Sequence, residues 1–182
     1  MKLHTVLTIF VISFSVNMSM GDEKANVETV GHVDLERYMG TWYEIARIPN
    51  RFQRKCIGNV SAKYTLNPDG TVQVVNSCLE EGGVTDTAEG VGKVEDKETN
   101  ARLKVSFFSI FGIHLFWGNY WILYLDDGYQ NAVVGEPSRE YGWILSRKKE
   151  LSAEELQPMQ EALRENGYDV QDFVPTSQNI GN

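Results

Sequence analysis

The residue types that most often carry chemistry are sparse in this chain: three histidines, His4, His32 and His114, and two cysteines, Cys56 and Cys78. The histidines are dispersed, and no HExxH or CxxC spacing exists, so they assemble neither a zinc site nor a histidine-based triad. GxSxG, P-loop and GxGxxG sequences are absent as well. Acidic residues are plentiful, and a carboxylate pair can serve as acid and base, but their spacing is that of a solvated surface. The expectation is a protein without catalytic residues, metal or cofactor.

At the N-terminus, Lys2 and His4 precede the apolar run VLTIFVISFSV, and Ser19 and Gly21 follow at the spacing a signal peptidase accepts. Residues 1–21 therefore read as a signal peptide, with Asp22 as the mature start. The run falls short of the roughly 20 residues of a membrane span, which disfavours a retained anchor. No lipobox cysteine is seen, since none precedes Cys56. An exported chain with two cysteines favours a Cys56–Cys78 disulfide over a metal pair or two free thiols, worth roughly 3 kcal/mol by loop closure. With 17 basic against 25 acidic side chains the chain repels phosphate backbones, so nucleic acid is not an expected partner.

Residues 22–33 are polar and aperiodic and read as a flexible lead-in, after which Asp34 caps a short turn LERYMG. Alternating or apolar runs then recur at 40–48, 57–66, 71–79, 84–95, 101–108, 119–126, 130–136 and 141–147. The links between them, such as NPDG at 67–70 and LDDGY at 125–129, have the turn chemistry of antiparallel neighbours. A helix follows at about 152–166, with Leu156, Met159 and Leu163 on one face, a Ser152/Glu155 capping box and a Gly167 stop. Pro158 is expected to kink or shorten its first turn. Eight antiparallel strands with one C-terminal helix outside imply an all-β, up-and-down barrel over 34–175 with a tail at 176–182; a two-sheet sandwich is the alternative.

GTWYEIA at 40–46, LDDGYQNAVV at 125–134 and WILSR at 143–147 resemble, in order and separation, the three short conserved regions of the lipocalins. Within that family the chain looks most like the bacterial lipocalins (outer membrane lipoprotein type) and the apolipoprotein D-like proteins, through RYMGTWYEIARIPNRF, LKVSFF and YGWILSR. The resemblance implies binding, storage or transport of a small lipid ligand, a fatty acid or lysophospholipid, in the periplasm or secreted, with an outer-membrane association and a role in cell-envelope maintenance. A lipid-acting, isomerase-like enzyme on the same barrel and an interaction module with a filled core are the rival readings.

Strict alternation of strand direction brings all three regions to one end of the barrel. There Gly40 admits a close chain approach, Trp42 plugs the floor, Arg147 stacks over the indole, and Asp126 and Tyr129 fix the adjoining turn. Ala46, Val60, Val74, Leu103, Val105, Phe107, Tyr120, Ile122 and Val133 are the candidate cavity wall. Arg51, Arg54, Lys55 and Arg139 fall in rim connections, where they could meet an anionic head group. The apolar connection at 109–118 is expected to fold over the mouth or to dock on a membrane surface or a second copy, the chain being a monomer or homodimer. Asn59-Val60-Ser61 is a sequon, read as accidental in a chain that looks bacterial.

Overall fold

Along β1 (Gly40–Arg47), Trp42 and Glu44 are buried between less buried neighbours, the period of two of a strand with one face inward. The structure, a computed structural model, describes residues 26–181; the expected signal peptide lies outside them. Asp34 caps α1 (Leu35–Tyr38) by accepting from the Arg37 amide, and the chain then enters β1 through Gly40 at φ +98°.

The strands that follow are β2 (Cys56–Leu66), β3 (Val72–Glu80), β4 (Thr85–Val94) and β5 (Arg102–Ser106). A small hairpin of β6 (Phe108–Ile110) and β7 (Ile113–Leu115) precedes β8 (Gly118–Leu125), β9 (Asn131–Gly135) and β10 (Gly142–Ser146). Each large strand pairs antiparallel with the next, and β10 pairs with β1, so eight strands close into an up-and-down barrel. Pairing of β10 with β1 removes the two outermost sheet edges that an open sheet would have left. The expected connection at 109–118 is largely this hairpin, which begins one residue earlier: Phe108, Ser109 and Ile110 pair with Leu115, His114 and Ile113.

Helix α2 (Ala153–Glu165) lies outside the barrel, with Met159 and Leu163 fully buried against Ala46, Leu123, Val133 and Ile144. Its capping box is formed: Ser152 and Glu155 each accept from the other's backbone amide. Gly167, at φ +74°, ends it, with Gly167 and Tyr168 amides donating to Arg164 and Leu163 carbonyls. Pro158 does not shorten the helix, contrary to expectation; it lies near the N-terminal end, where the hydrogen bond it forgoes would have reached the exposed residue 154.

Both flanks of the barrel depart from the expected layout. Residues 26–33 of the lead-in are laid against the barrel rather than free: Val27 and Val33 are buried, and Val30 and Val33 amides donate to Ile122 and Thr99 carbonyls. The polar look of this stretch hid two valines spaced to reach different apolar patches. After α2, β11 (Val174–Pro175) pairs with Ala46 and Arg47 of β1. β1 and β2 pair only from Gly40–Tyr43 to Ser61–Tyr64. Beyond that point the tail fills the seam: the Gln178 side-chain amide donates to the Glu44 and Val60 carbonyls, both at 2.7 Å, and Asn59 exchanges bonds with Ser177 and Ile180. The Asn59 Nδ2 that glycosylation would use is thus donated to Ile180.

Candidate ligand-binding barrel

Trp42, with no exposed surface, closes one end of the barrel, and its indole N–H donates to the Tyr38 carbonyl at 2.8 Å. Arg147 covers it from outside, Cζ 3.9 Å from the ring centroid. The same guanidinium donates to the carbonyls of Thr41 at 2.8 Å, Met39 at 2.7 Å and Tyr38 at 3.0 Å, ends left open by α1 and the start of β1. A Cβ at Gly40 would stand 3.2 Å from Arg147 Nη1, so that position needs both glycine's left-handed backbone and its missing side chain. Asp126 accepts from the Gln130 and Asn131 amides, each at 2.8 Å, and Tyr129, itself at φ +57°, receives the Asp34 amide on its hydroxyl. Gly40, Trp42, Asp126, Tyr129 and Arg147 therefore all lie at one end, tied to α1.

Above the indole, Tyr38, Tyr64 and Tyr120 converge. The Tyr120 hydroxyl is 2.9 Å from that of Tyr38 and 3.0 Å from that of Tyr64. Burial raises all three phenols above the ordinary tyrosine range, Tyr64 to about 12, so they stay neutral donors. Val74, Leu103 and Val105 surround them, leaving a space of about 20 Å³, and Ile122 is fully buried in the same apolar cluster. The lower barrel is filled. From Trp42 the inward row set by cross-strand register runs through Ala62, Asn76 and Ala88, whose side chains are small, and Ala88 is exposed although it faces inward. The end of the barrel opposite Trp42 is open. Phe107 stands at its mouth with its ring on Gly90, where an added Cβ would lie 2.7 Å from the ring.

Two wall candidates are misplaced. Ala46 and Val133 face outward beneath α2, in the cluster with Met159 and Leu163. Ala46 follows a register break between Glu44 and Ala46, and Val133 alternates with the inward Ala132 and Val134. Val60 is buried where the β2 ladder is interrupted between Gly58 and Ser61.

The rim bases also divide. Lys55 is engaged by Glu80 at 2.7 Å and Asp86 at 3.0 Å, and Arg139 donates to the helix-terminal Asn166 carbonyl at 2.6 Å; neither is aimed at the mouth. Arg51 and Arg54 remain exposed, Arg51 over the Phe52 ring. Cys56 and Cys78 form a disulfide joining β2 and β3 at this end.

Sequence reasoning did not find Tyr38 and Tyr64, although both lie in period with inward residues. It also missed Glu44, a buried carboxylate that accepts from Arg47, Gln53 and Thr176 beside the seam. The shared partner of the two tyrosines, Tyr120, lies 82 and 56 residues along the chain, and the Thr176 that completes the Glu44 site lies 132 away.

A sealed-floor, open-mouthed eight-stranded barrel is the architecture of a carrier of small apolar molecules. Residues 33–178 match the lipocalin-like domain model, and the chain belongs to the lipocalin family, whose members bind and transport small hydrophobic ligands. It is 42% identical over 158 residues to temperature-induced lipocalin-1 of Arabidopsis thaliana, covering 86% of this chain and 85% of that protein. It is 39% identical over 153 residues to outer membrane lipoprotein Blc of Escherichia coli K12, covering 84% and 83% respectively. In fold it is similar to insecticyanin of the tobacco hornworm Manduca sexta, with a TM-score of 0.69 at 21% identity over 86% of both chains.

Proposed function

We propose that this exported protein holds a fatty acid or lysophospholipid in the upper barrel and exchanges it with a lipid surface through the β6–β7 hairpin. The observation that carries this reading is the hairpin itself, set beside the mouth. From Val105 to Leu125 no side chain is an acid, lysine or arginine. Within that run Phe111 is fully exposed, Phe116 is 82% exposed and Ile113 65% exposed. A contiguous apolar patch of this kind marks a contact with an apolar partner, and a charge-free aromatic one suits the boundary between acyl chains and water. Phe107 links the two features, since it belongs both to the mouth and to the start of the hairpin.

Burial of the acyl chain supplies most of the affinity. A chain of about 16 carbons gains on the order of 12 kcal/mol gross at ~0.8 per methylene, before ordering costs. Export is supported by the outer membrane lipoproteins among the relatives and by the disulfide. The test is lipid extraction from purified protein with mass spectrometry, joined to a vesicle-to-protein transfer assay. A stoichiometric acyl species is expected; an empty extract favours a filled-core interaction module, and turnover of an added lipid indicates an enzyme. Replacing Ile113, Leu115 and Phe116 with serine should slow vesicle transfer while leaving affinity for a soluble short-chain ligand intact. Lost affinity with unchanged transfer would make the hairpin a lid rather than a docking surface.

A further inference from the structure

The three buried tyrosines do not balance as donors. Three hydroxyls carry three protons, and the trio contains two contacts, Tyr38 to Tyr120 and Tyr120 to Tyr64. Among the described residues none of the three hydroxyls has another partner, so one O–H is left without a protein acceptor whichever way the chain of donors runs. An unmatched buried donor is costly, about 1–3 kcal/mol, and such groups are met by water or by a ligand. The space beside them, about 20 Å³, is the size of a single oxygen-bearing group.

We infer that this trio is the seat of the ligand's polar end: a fatty acid enters carboxylate first, an oxygen of it accepts from the Tyr120 hydroxyl while Tyr38 and Tyr64 donate to Tyr120, and its tail runs back to the mouth. The inference rests on the lipid-binding reading and fixes the orientation of the bound molecule. Four observations converge on it. Tyr120 is the trio's central member and its least buried, and it faces inward opposite Leu103, lining the same small space. The Arg147 guanidinium beneath Trp42 places positive charge on the far side of the trio, and its field acts on Tyr38 and Tyr64. Phenols held neutral by burial can donate to a carboxylate without repelling it. At the opposite end, two of the four bases that might have met a head group, Lys55 and Arg139, are committed elsewhere.

The distance suits a tail leaving through the mouth. From Leu103, opposite Tyr120, to Phe107 the wall rises about 13 Å at roughly 3.3 Å per residue. A longer tail then emerges among the apolar side chains of the hairpin, which gives those side chains a contact in the loaded protein.

The test uses decanoate labelled with carbon-13 at the carboxyl carbon, bound to the full mature protein and followed by NMR across the acid's titration range. Seated at the trio, its carboxyl resonance does not follow the titration of free decanoate, and it shifts in Tyr120→Phe and Tyr64→Phe. Decanoate affinity falls about tenfold or more in Tyr120→Phe, in keeping with loss of a hydrogen bond to a charged group. Tyr64→Phe removes only a terminal hydroxyl, so it carries the test if Tyr120→Phe folds poorly, and thermal melts of both variants establish this. A carboxyl resonance that titrates as in free decanoate, ignores both tyrosine variants and moves in Arg51→Gln or Arg54→Gln places the head at the rim and overturns the inference, with lipid binding intact. Failure of decanoate and longer fatty acids to bind at all removes the lipid-binding reading together with it.

Discussion

Arg147 and Trp42 form one unit: the guanidinium lies 3.9 Å from the indole centroid while its N–H groups hold the carbonyls of Tyr38, Met39 and Thr41 around the same ring. The indole is a buried wedge and the arginine its cover. Trp42→Ala should destabilise the fold by about 3–5 kcal/mol, because it empties a fully buried aromatic site. Arg147→Ala should cost less, and the two should couple by about 1 kcal/mol in a double-mutant cycle read by urea unfolding. Simple additivity would mean that the stacking contributes nothing. Arg147→Lys should not restore the loss, since a lysine cannot donate to several carbonyls in a plane.

Half of the eight tyrosines should resist ionisation in alkali. Burial raises Tyr38, Tyr64, Tyr120 and Tyr168, Tyr64 and Tyr168 to about 12. The folded state thus favours the protonated phenol more than the unfolded state does. The resulting stability is fully present below the unfolded value near 10 and is lost as pH rises through about 12. Phenolate absorbance should rise in two steps, the second coinciding with loss of the β-sheet circular dichroism. A single step near pH 10 with the fold intact would contradict the burial of the trio.

At the acid end, Glu155 is the group to follow. Its bonds from Lys148 and Ser152 hold its carboxyl down at about 2, from an ordinary 4.5. A depressed pKa contributes stability above the unfolded value that disappears as pH falls from about 4.5 through about 2. Wild type should therefore melt slightly above Glu155→Gln at neutral pH, and the two melting curves should merge toward pH 2. The pair is solvent-accessible, Lys148 60% and Glu155 34% exposed, so the difference should be small and should shrink in high salt.

Gln178→Ala should lower stability by about 1–3 kcal/mol, because the buried Glu44 and Val60 carbonyls lose their shared donor. Gln178→Glu should be at least as damaging, since a carboxylate there would face two carbonyl oxygens. Urea midpoints for the two variants check this, and an unchanged midpoint in both would show that the seam is held by other contacts.

Strand count, turn positions and the family-like regions were legible because they are local: a period of two, Asp-Gly and Asn-Pro turns, a capping box before an amphipathic run. The barrel-floor residues could be brought to one end by counting strand directions alone. Facing was less legible. A register break after Glu44 turns Ala46 under α2, and no local feature of EIAR announces it. The hairpin at 108–115 was visible as apolar but not as paired, because its strands are three residues each. Lys55 and Arg139 looked like rim charges until partners from β3, β4 and the end of α2 came into view. The tyrosine trio stayed hidden for the same reason: Tyr38 and Tyr120 are 82 residues apart.

The seam between β1 and β2 has a consequence for how the barrel comes into being. Its upper half is joined by residues near the C-terminal end, with the Thr176 amide on the Ile45 carbonyl and the Gln178 side chain spanning Glu44 and Val60, 134 and 118 positions earlier. During synthesis, β1 and β2 emerge long before these partners and wait until residues 174–180 have been made. Contacts so distant along the chain form slowly. Until residues 174–180 dock, the upper wall between β1 and β2 stays unlatched, so this seam should be the last part of the barrel to gain protection from hydrogen exchange during refolding.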